Sequence, residues 1–164
     1  MPMFVLQVQS GYELQVKKEL NAKGYLALVP QENRLERSGG KWHEKLRILM
    51  PSYVFVSLCF DNSIYYDIKG ISHIIRFLGG VSPTPLADEE ADYIKLITKE
   101  EIISPSTIQI FSDGRVKPVL GLLAQKAMKI TAVNKRQKRV KVEISLLNKK
   151  YSFQLSAYIM EALI

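Results

Sequence analysis

Asn134-Lys135-Arg136-Gln137-Lys138-Arg139 places four cations within six residues. Lys and Arg projected from a rigid element neutralise phosphates and release their condensed counterions, so this segment is a candidate grip on a polyanion. The plainer reading is a solvated turn kept soluble by its charge. Lys135, Arg136, Lys138 and Arg139 are the candidate phosphate contacts. Asn134 could add a base contact, although turn formation is the stronger role for an asparagine there. The distribution of charge makes the second part of the chain a candidate for a polyanion without deciding between the two readings. Residues 1–104 hold 12 Lys and Arg against 13 Asp and Glu, whereas residues 105–164 hold 11 against 3, so the net charge of +7 arises entirely in the last third. Such asymmetry points to two modules with different partners.

Other reactive side chains are sparse. The single cysteine, Cys59, has no partner for an internal disulfide, and with His43 and His73 it makes no closed zinc set, so it reads as a small core residue of an apolar strand. The sequence contains no nucleophile elbow, phosphate-binding glycine loop or His-Glu-x-x-His helix, and two histidines give little for acid-base work. Neither an enzyme nor a cofactor or metal is expected. With 47% hydrophobic and 24% charged residues the composition is that of a globular protein able to bury a core. Apolar stretches such as residues 48–60 contain polar residues and a proline and fall short of the roughly 20 residues that span a bilayer. The start lacks the pattern of a signal peptide, so the expectation is a cytoplasmic protein without a membrane partner.

The elements that must carry the candidate residues follow from periodicity. Phe4, Leu6 and Val8 alternate with Val5, Gln7 and Gln9, which predicts a strand. Ser10-Gly11-Tyr12-Glu13 fits a capping box, with Tyr12, Val16 and Leu20 on an inward helical stripe that Gly24 ends. Residues 28–49, polar around Ser38-Gly39-Gly40, predict a long exposed hairpin. The aromatic and β-branched run 51–58 is a central strand. Asp61-Asn62 can cap a short helix bearing Ile64 and Ile68, residues 74–78 form another strand stopped by Gly79-Gly80, and Asp88, Glu89 and Glu90 favour the start of a helix with Ala91, Ile94 and Ile97 inward. This order makes the first module an α+β sheet with flanking helices. Residues 100–107 read as a linker, which gives domains at 1–99 and 108–164. Strands at 108–111, 116–120, 128–133, 140–147 and 151–155 then predict a small five-stranded β-barrel, with Val140, Val142, Ile144 and Leu146 on its buried face.

Four blocks, in order and spacing, carry a resemblance: residues 4–13, Met50-Pro51-Ser52-Tyr53-Val54-Phe55-Val56, Ile75-Arg76-Phe77-Leu78-Gly79-Gly80, and Pro83-Thr84-Pro85-Leu86. They resemble the landmarks of the NusG family of transcription elongation factors, and the basic tail stands where that family carries its KOW domain. Met3, Met50 and Ser52 depart from the usual tryptophan, aromatic and glycine. The resemblance implies an SH3-like barrel for the second module and an NGN-like fold for the first. The basic turn resembles that of the LoaP branch, whose second module recognises a hairpin in nascent RNA. It implies a processive antitermination factor that acts as a monomer. Its first module would pack on the clamp helices of the largest RNA polymerase subunit through Gln7, Met50, Pro51, Phe55 and Phe77, with buried core as the rival role for the two phenylalanines. Ile64, Tyr65 and Tyr66 would reach the far side of the cleft. A ribosomal protein or the termination factor Rho are the further partners the family implies.

A stand-alone RNA-binding or ribosome-associated KOW protein is the alternative function. Residues 120–129 have good helix propensity, and the RfaH branch hides its polymerase face under a helical form of this module, but the β-branched alternation from Val140 onward favours strands.

Overall fold

The computed structural model describes residues 1–79, 82–125 and 128–162. In chain order the elements are β1 (Met3–Val8), α1 (Glu13–Ala22), β2 (Leu26–Leu28), β3 (Gln31–Ser38), β4 (Lys41–Ile48), β5 (Tyr53–Ser57), α2 (Asn62–Lys69), β6 (Ile74–Phe77) and α3 (Asp88–Ile97). They are followed by β7 (Ile102–Ile103), β8 (Ser106–Phe111), β9 (Val116–Leu120), α4 (Leu122–Gln125), β10 (Lys129–Asn134), β11 (Arg139–Leu146) and β12 (Lys149–Ala162). Packing divides the chain into two units. The first comprises Met1–Val29, Met50–Thr98 and Leu146–Asn148, and the second Pro30–Leu49, Lys99–Ser145 and Lys149–Ile164.

The first unit is built on a four-stranded sheet of order β2-β5-β1-β6, with β5 inside it. Val5, Leu6, Val54, Phe55 and Val56 are almost fully buried because β1 and β5 have a neighbour on both sides and apolar side chains on both faces. The helix α1 differs from expectation. No side chain caps it, Glu13 turns inward at 3% exposure beside Val16 and Leu20, and Tyr12 stays exposed. The Glu13 carboxylate accepts from the Gly11 N–H at 2.6 Å and from the Ser52 N–H at 3.1 Å, so it serves the entry of β5 as well as its own helix, and the Ser10 capping box is not made. Gly24, at φ +90°, ends the helix as expected. Asp61 caps α2 by accepting from the Ile64 N–H at 2.8 Å. Cys59 is exposed, a correction with a simple cause: β5 ends at Ser57 and Cys59 lies in the connection to α2.

The second unit holds two sheets. A three-stranded sheet of order β4-β3-β7 contains the expected hairpin, turned by Gly39 and Gly40 at φ +60° and +76°, which glycine adopts without cost. Residues 100–107 are partly structured, since β7 pairs in parallel with Gln31 and Glu32 and β8 begins at Ser106. The five C-terminal strands form one sheet of order β10-β11-β12-β8-β9. β8 to β11 fall within two residues of where periodicity placed them, β12 runs on to Ala162 well past its expected end at 155, and the inward residues of β11 are buried. Closure into a barrel is absent from the pairing of the described strands. The end strands β10 and β9 are largely exposed, and each slips register, between Ile130 and Ala132 and opposite Thr107 and Ile108. Such slips twist an edge away from further pairing. Within 120–129, α4 is one short turn of helix, and Lys126 and Ala127 lie outside the described residues, as does Gly80.

Candidate functional site

The basic turn sits at the tip of the β10–β11 hairpin, closed by the pair Asn134 and Arg139. Asn134 forms the turn, its Oδ1 accepting from the Gln137 N–H at 2.9 Å. The four cations have four different surroundings. Arg136 is exposed and makes no ion pair or hydrogen bond among the described residues. Lys135 pairs with Glu161 at 3.1 Å, an open contact worth little in water. Lys138 has φ +54°, its carbonyl accepts from the Ala157 N–H at 3.0 Å, and its ammonium lies 4.4 Å from the centroid of the Trp42 ring. Arg139 is half-buried, and its Nε is buried with no hydrogen-bond partner. Beside the turn opens a cleft of about 380 Å³ lined by Ala132, Val133, Asn134, Lys135, Arg139, Lys141 and Gln154. An unsatisfied guanidinium N–H beside two ammonium groups and two amides is a place for an anion. Sequence reading missed Lys141 and Gln154. Their signal was position: both fall between buried neighbours on alternating strands, Val140 and Val142 in one case and Phe153 and Leu155 in the other, and therefore point outward.

The hairpin of the same unit is tied to β12 by a buried polar set. The Glu32 carboxylate, 1% exposed, accepts from Arg34 Nε at 2.7 Å and from the Ser156 N–H at 3.1 Å, while Ser156 Oγ accepts from the Leu35 N–H at 2.9 Å. The Arg47 guanidinium, paired with both Glu36 oxygens at 2.7 and 3.0 Å, holds the Glu36 carboxyl below the usual carboxylate range, helped by Lys45 and Arg139. Burial, then the Glu44 carboxylate to which it donates at 3.3 Å, pushes the Tyr158 phenol up.

In the first unit the sheet register sorts the candidate residues. Residues directly opposite share a face, and neighbours along a strand alternate. Gln7 pairs with Tyr53 and Arg76, and Val5 with Phe55, so Gln7 and Phe55 lie on one face, where Gln7 Oε1 accepts from Arg76 Nε at 2.8 Å. Phe77 pairs with Leu6 and lies on the other. There it joins Phe4, Phe60 and Tyr65 of α2, with the Tyr65 and Phe77 rings stacked at 5.7 Å. The structure thus brings Phe77 to Tyr65 and separates it from Gln7 and Phe55. Met50 and Phe55 are fully buried and Phe77 is 8% exposed, whereas Pro51 is exposed and Gln7 half-buried. Ile64 and Tyr65 are half-buried, and Tyr66 stands out at 73% exposure. Adjacent residues of a helix cannot both face its core, and here Tyr66 is the one left in solvent. At the far end of α2, hydrogen bonds from Lys23 and Tyr25 hold the Asp67 carboxyl below its usual range. Among the described residues no group of three or more His, Cys, Asp or Glu could hold a metal ion, and no helix is long and apolar enough to cross a membrane.

The family model described as "Transcription termination factor nusG" matches residues 1–95. The chain is 25% identical over 158 residues to the transcription termination/antitermination protein NusG of Yersinia pestis, covering 89% of this chain and 87% of that one. Against the NusG of Halalkalibacterium halodurans it is 26% identical over 167 residues, with 93% of each covered. The solved structure "Domain interaction in Thermotoga maritima NusG" shares the fold, with a TM-score of 0.53 at 20% identity over 94% of this chain and 93% of that one.

Proposed function

The chain belongs to the NusG family, and from that premise we propose that it is a processive elongation factor of the LoaP type, tethered to RNA polymerase by one module and to nascent RNA by the other. Residues 1–99 are the polymerase-binding domain, seated on the clamp helices of the largest subunit, and their β3–β4 hairpin packs in the same unit as the C-terminal strands. Residues 108–164 are the KOW-like module that holds an RNA hairpin. The observation that carries this reading is the four-cation turn beside a cleft lined by Lys135, Arg139 and Lys141.

The turn and cleft act together. An RNA phosphate exchanges Lys135 from its exposed pair with Glu161 at little cost, meets Arg136 in solvent, and meets the Arg139 guanidinium that lines the cleft. The deep major groove of regular A-form RNA is too narrow for such a turn, so the target is a hairpin loop or bulge. On the polymerase side, Gln7, Pro51 and Tyr66 supply direct contact. Met50, Phe55 and Phe77 act from beneath by fixing the surface that bears them, and Ile64 and Tyr65 hold Tyr66 in place. The work is that of a tether in the cytoplasm, with no chemistry of its own.

The test is to incubate the full chain with RNA polymerase core in the absence of nucleic acid, and separately with the leader RNA of the operon it serves. Capture of core polymerase and binding of the leader are the expected results. Leader binding without polymerase capture would overturn the elongation role in favour of a stand-alone RNA-binding protein, and polymerase capture without leader binding would remove the RNA half.

A further inference from the structure

We propose that Trp42 is a stacking platform for an unpaired RNA base, covered in the free protein by the Lys138 ammonium. The proposal rests on the RNA reading above and adds to that site a residue outside the basic turn. Trp42 is the only tryptophan of the chain. It is half-buried on β4 near the glycine tip of the hairpin, opposite Arg37, in the same packing unit as the turn. Its ring face meets Lys138 Nζ at 4.4 Å, a cation–π contact with the best of the aromatic acceptors.

That ammonium therefore has two possible partners. A phosphate carries a full charge and accepts hydrogen bonds, whereas the indole offers only the negative face of its ring, so a bound phosphate draws Lys138 away from Trp42. The uncovered ring then lies within one lysine side chain of the phosphate, a distance that the base of the same nucleotide can bridge. Surfaces that bind single-stranded RNA combine these two parts, cations for the backbone and aromatic faces for successive bases. The surroundings fit. Glu44, two residues from Trp42 and so on the same face of the hairpin, accepts from the hydroxyl of Tyr158, a second ring that is 43% exposed. The backbone also argues for a purpose at Lys138. Its φ of +54° is a conformation that Gly or Asn adopts more readily, and the Ala157 N–H bond to its carbonyl fixes it there, which aims the side chain at Trp42.

The experiment uses the full chain and two hairpin RNAs of identical stem, one with an oligo(A) loop and one with an abasic loop of equal length and charge. Emission from Trp42 reports contact with the ring, and titration of dye-labelled RNA reports affinity. The oligo(A) loop should quench Trp42 saturably and bind about tenfold more tightly than the abasic loop. Trp42→Ala should abolish that difference without changing the salt dependence, because stacking releases no counterions. Trp42→Phe, which keeps a smaller ring and guards against a misfolded alanine variant, should retain part of the difference. Lys138→Gln removes the cover while leaving the ring, and should keep the preference for bases. Equal affinity for the two loops, both with the salt dependence of the basic turn, would overturn the stacking role alone. Absence of binding to either hairpin would overturn the RNA reading together with it.

Discussion

In the first unit Phe4, Phe60, Tyr65 and Phe77 cover one another with ring centroids 5.6–6.1 Å apart, whereas in the second unit the face of Trp42 is covered by one lysine. The first arrangement is permanent. Phe4 and Phe77 are buried at its centre, so opening the cluster forfeits dispersion contacts and apolar burial together. The second is exchangeable, because an ammonium can leave for a better anion at a small cost to the fold. A single chain thus uses aromatic rings in two ways, as a scaffold beneath one proposed contact surface and as a shielded surface in the other. The charge pattern runs the same way, with balanced charges before residue 105 and a strong cationic excess after it.

The comparison breaks most readily at Phe77. Replacing it with Ala should cost about 3–5 kcal/mol in denaturant unfolding, the usual range for a buried phenylalanine, whereas the half-buried Trp42 changed to Ala should cost about 1–2 kcal/mol. Similar losses at both positions would erase the distinction. Where circular dichroism shows Phe77→Ala still folded, polymerase binding should fall roughly 30-fold, equivalent to about 2 kcal/mol.

The exchangeable side is tested by salt. If Lys135, Arg136, Lys138 and Arg139 all meet phosphate, log affinity for leader RNA should fall against log salt with a slope of roughly −3, or about 50-fold between roughly 50 and 200 mM. With all four changed to Ser, the same titration should be nearly flat. A quadruple variant that stays folded and keeps the wild-type slope would make the turn a solubilising feature only.

A smaller effect is expected at the rim of the cluster. Tyr66→Ala should change stability by no more than about 0.5 kcal/mol, because the ring is exposed. Changing Tyr65 and Tyr66 together should reduce suppression of polymerase pausing in a single-round transcription assay while leaving affinity for core polymerase intact. Equal loss of both properties would mean that the rings serve the fold alone.

The smallest effect is on acid stability. Asp67 and Glu36 have carboxyls held below their unfolded values, so the unfolded chain binds more protons than the folded one as pH falls through about 4. Their stabilisation is present above that range and lost below it. Asp67→Asn and Glu36→Gln should each slightly flatten the acid limb of a thermal-melting series, and an unchanged acid limb would show that these exposed pairs contribute nothing.

Local patterns in the sequence were enough for β1, β5, β6, the start of each C-terminal strand, the glycine-turned hairpin, the Asp61 cap and the inward face of β11, but not for the short strands β2 and β7. They failed where distant segments decide the outcome. The placement of Gln7 and Phe77 on opposite faces follows from the register of β6 against β1, which shifts between Gln7 and Val8, and no periodicity within either strand encodes that pairing. Glu13 reads as a capping residue because its partner Ser52 lies 39 residues away. The end of β12 was missed because Ser156 and Ala157 interrupt the alternation with small residues. Both are buried, and Ser156 holds its place by bonds to Glu32 and Leu35 of β3. The basic turn was legible as a charge run, but its contact with Trp42 was not, since 96 residues of chain separate the two.

Pro118 lies in β9, paired with Ile108, at one free margin of the five-stranded sheet. An open sheet ends in unpaired backbone that can recruit a matching strand from another molecule, and successive copies can then grow into fibrils. Proline has no amide hydrogen to offer, so at this margin the row of donors is interrupted. The register slip in β10 twists the opposite margin away from regular pairing. Leaving the sheet open thus exposes the chain to self-templating, and these two irregularities are its protection against it. Pro118→Val should show its main consequence in concentrated solution, as slow strand-on-strand association that the parent chain resists.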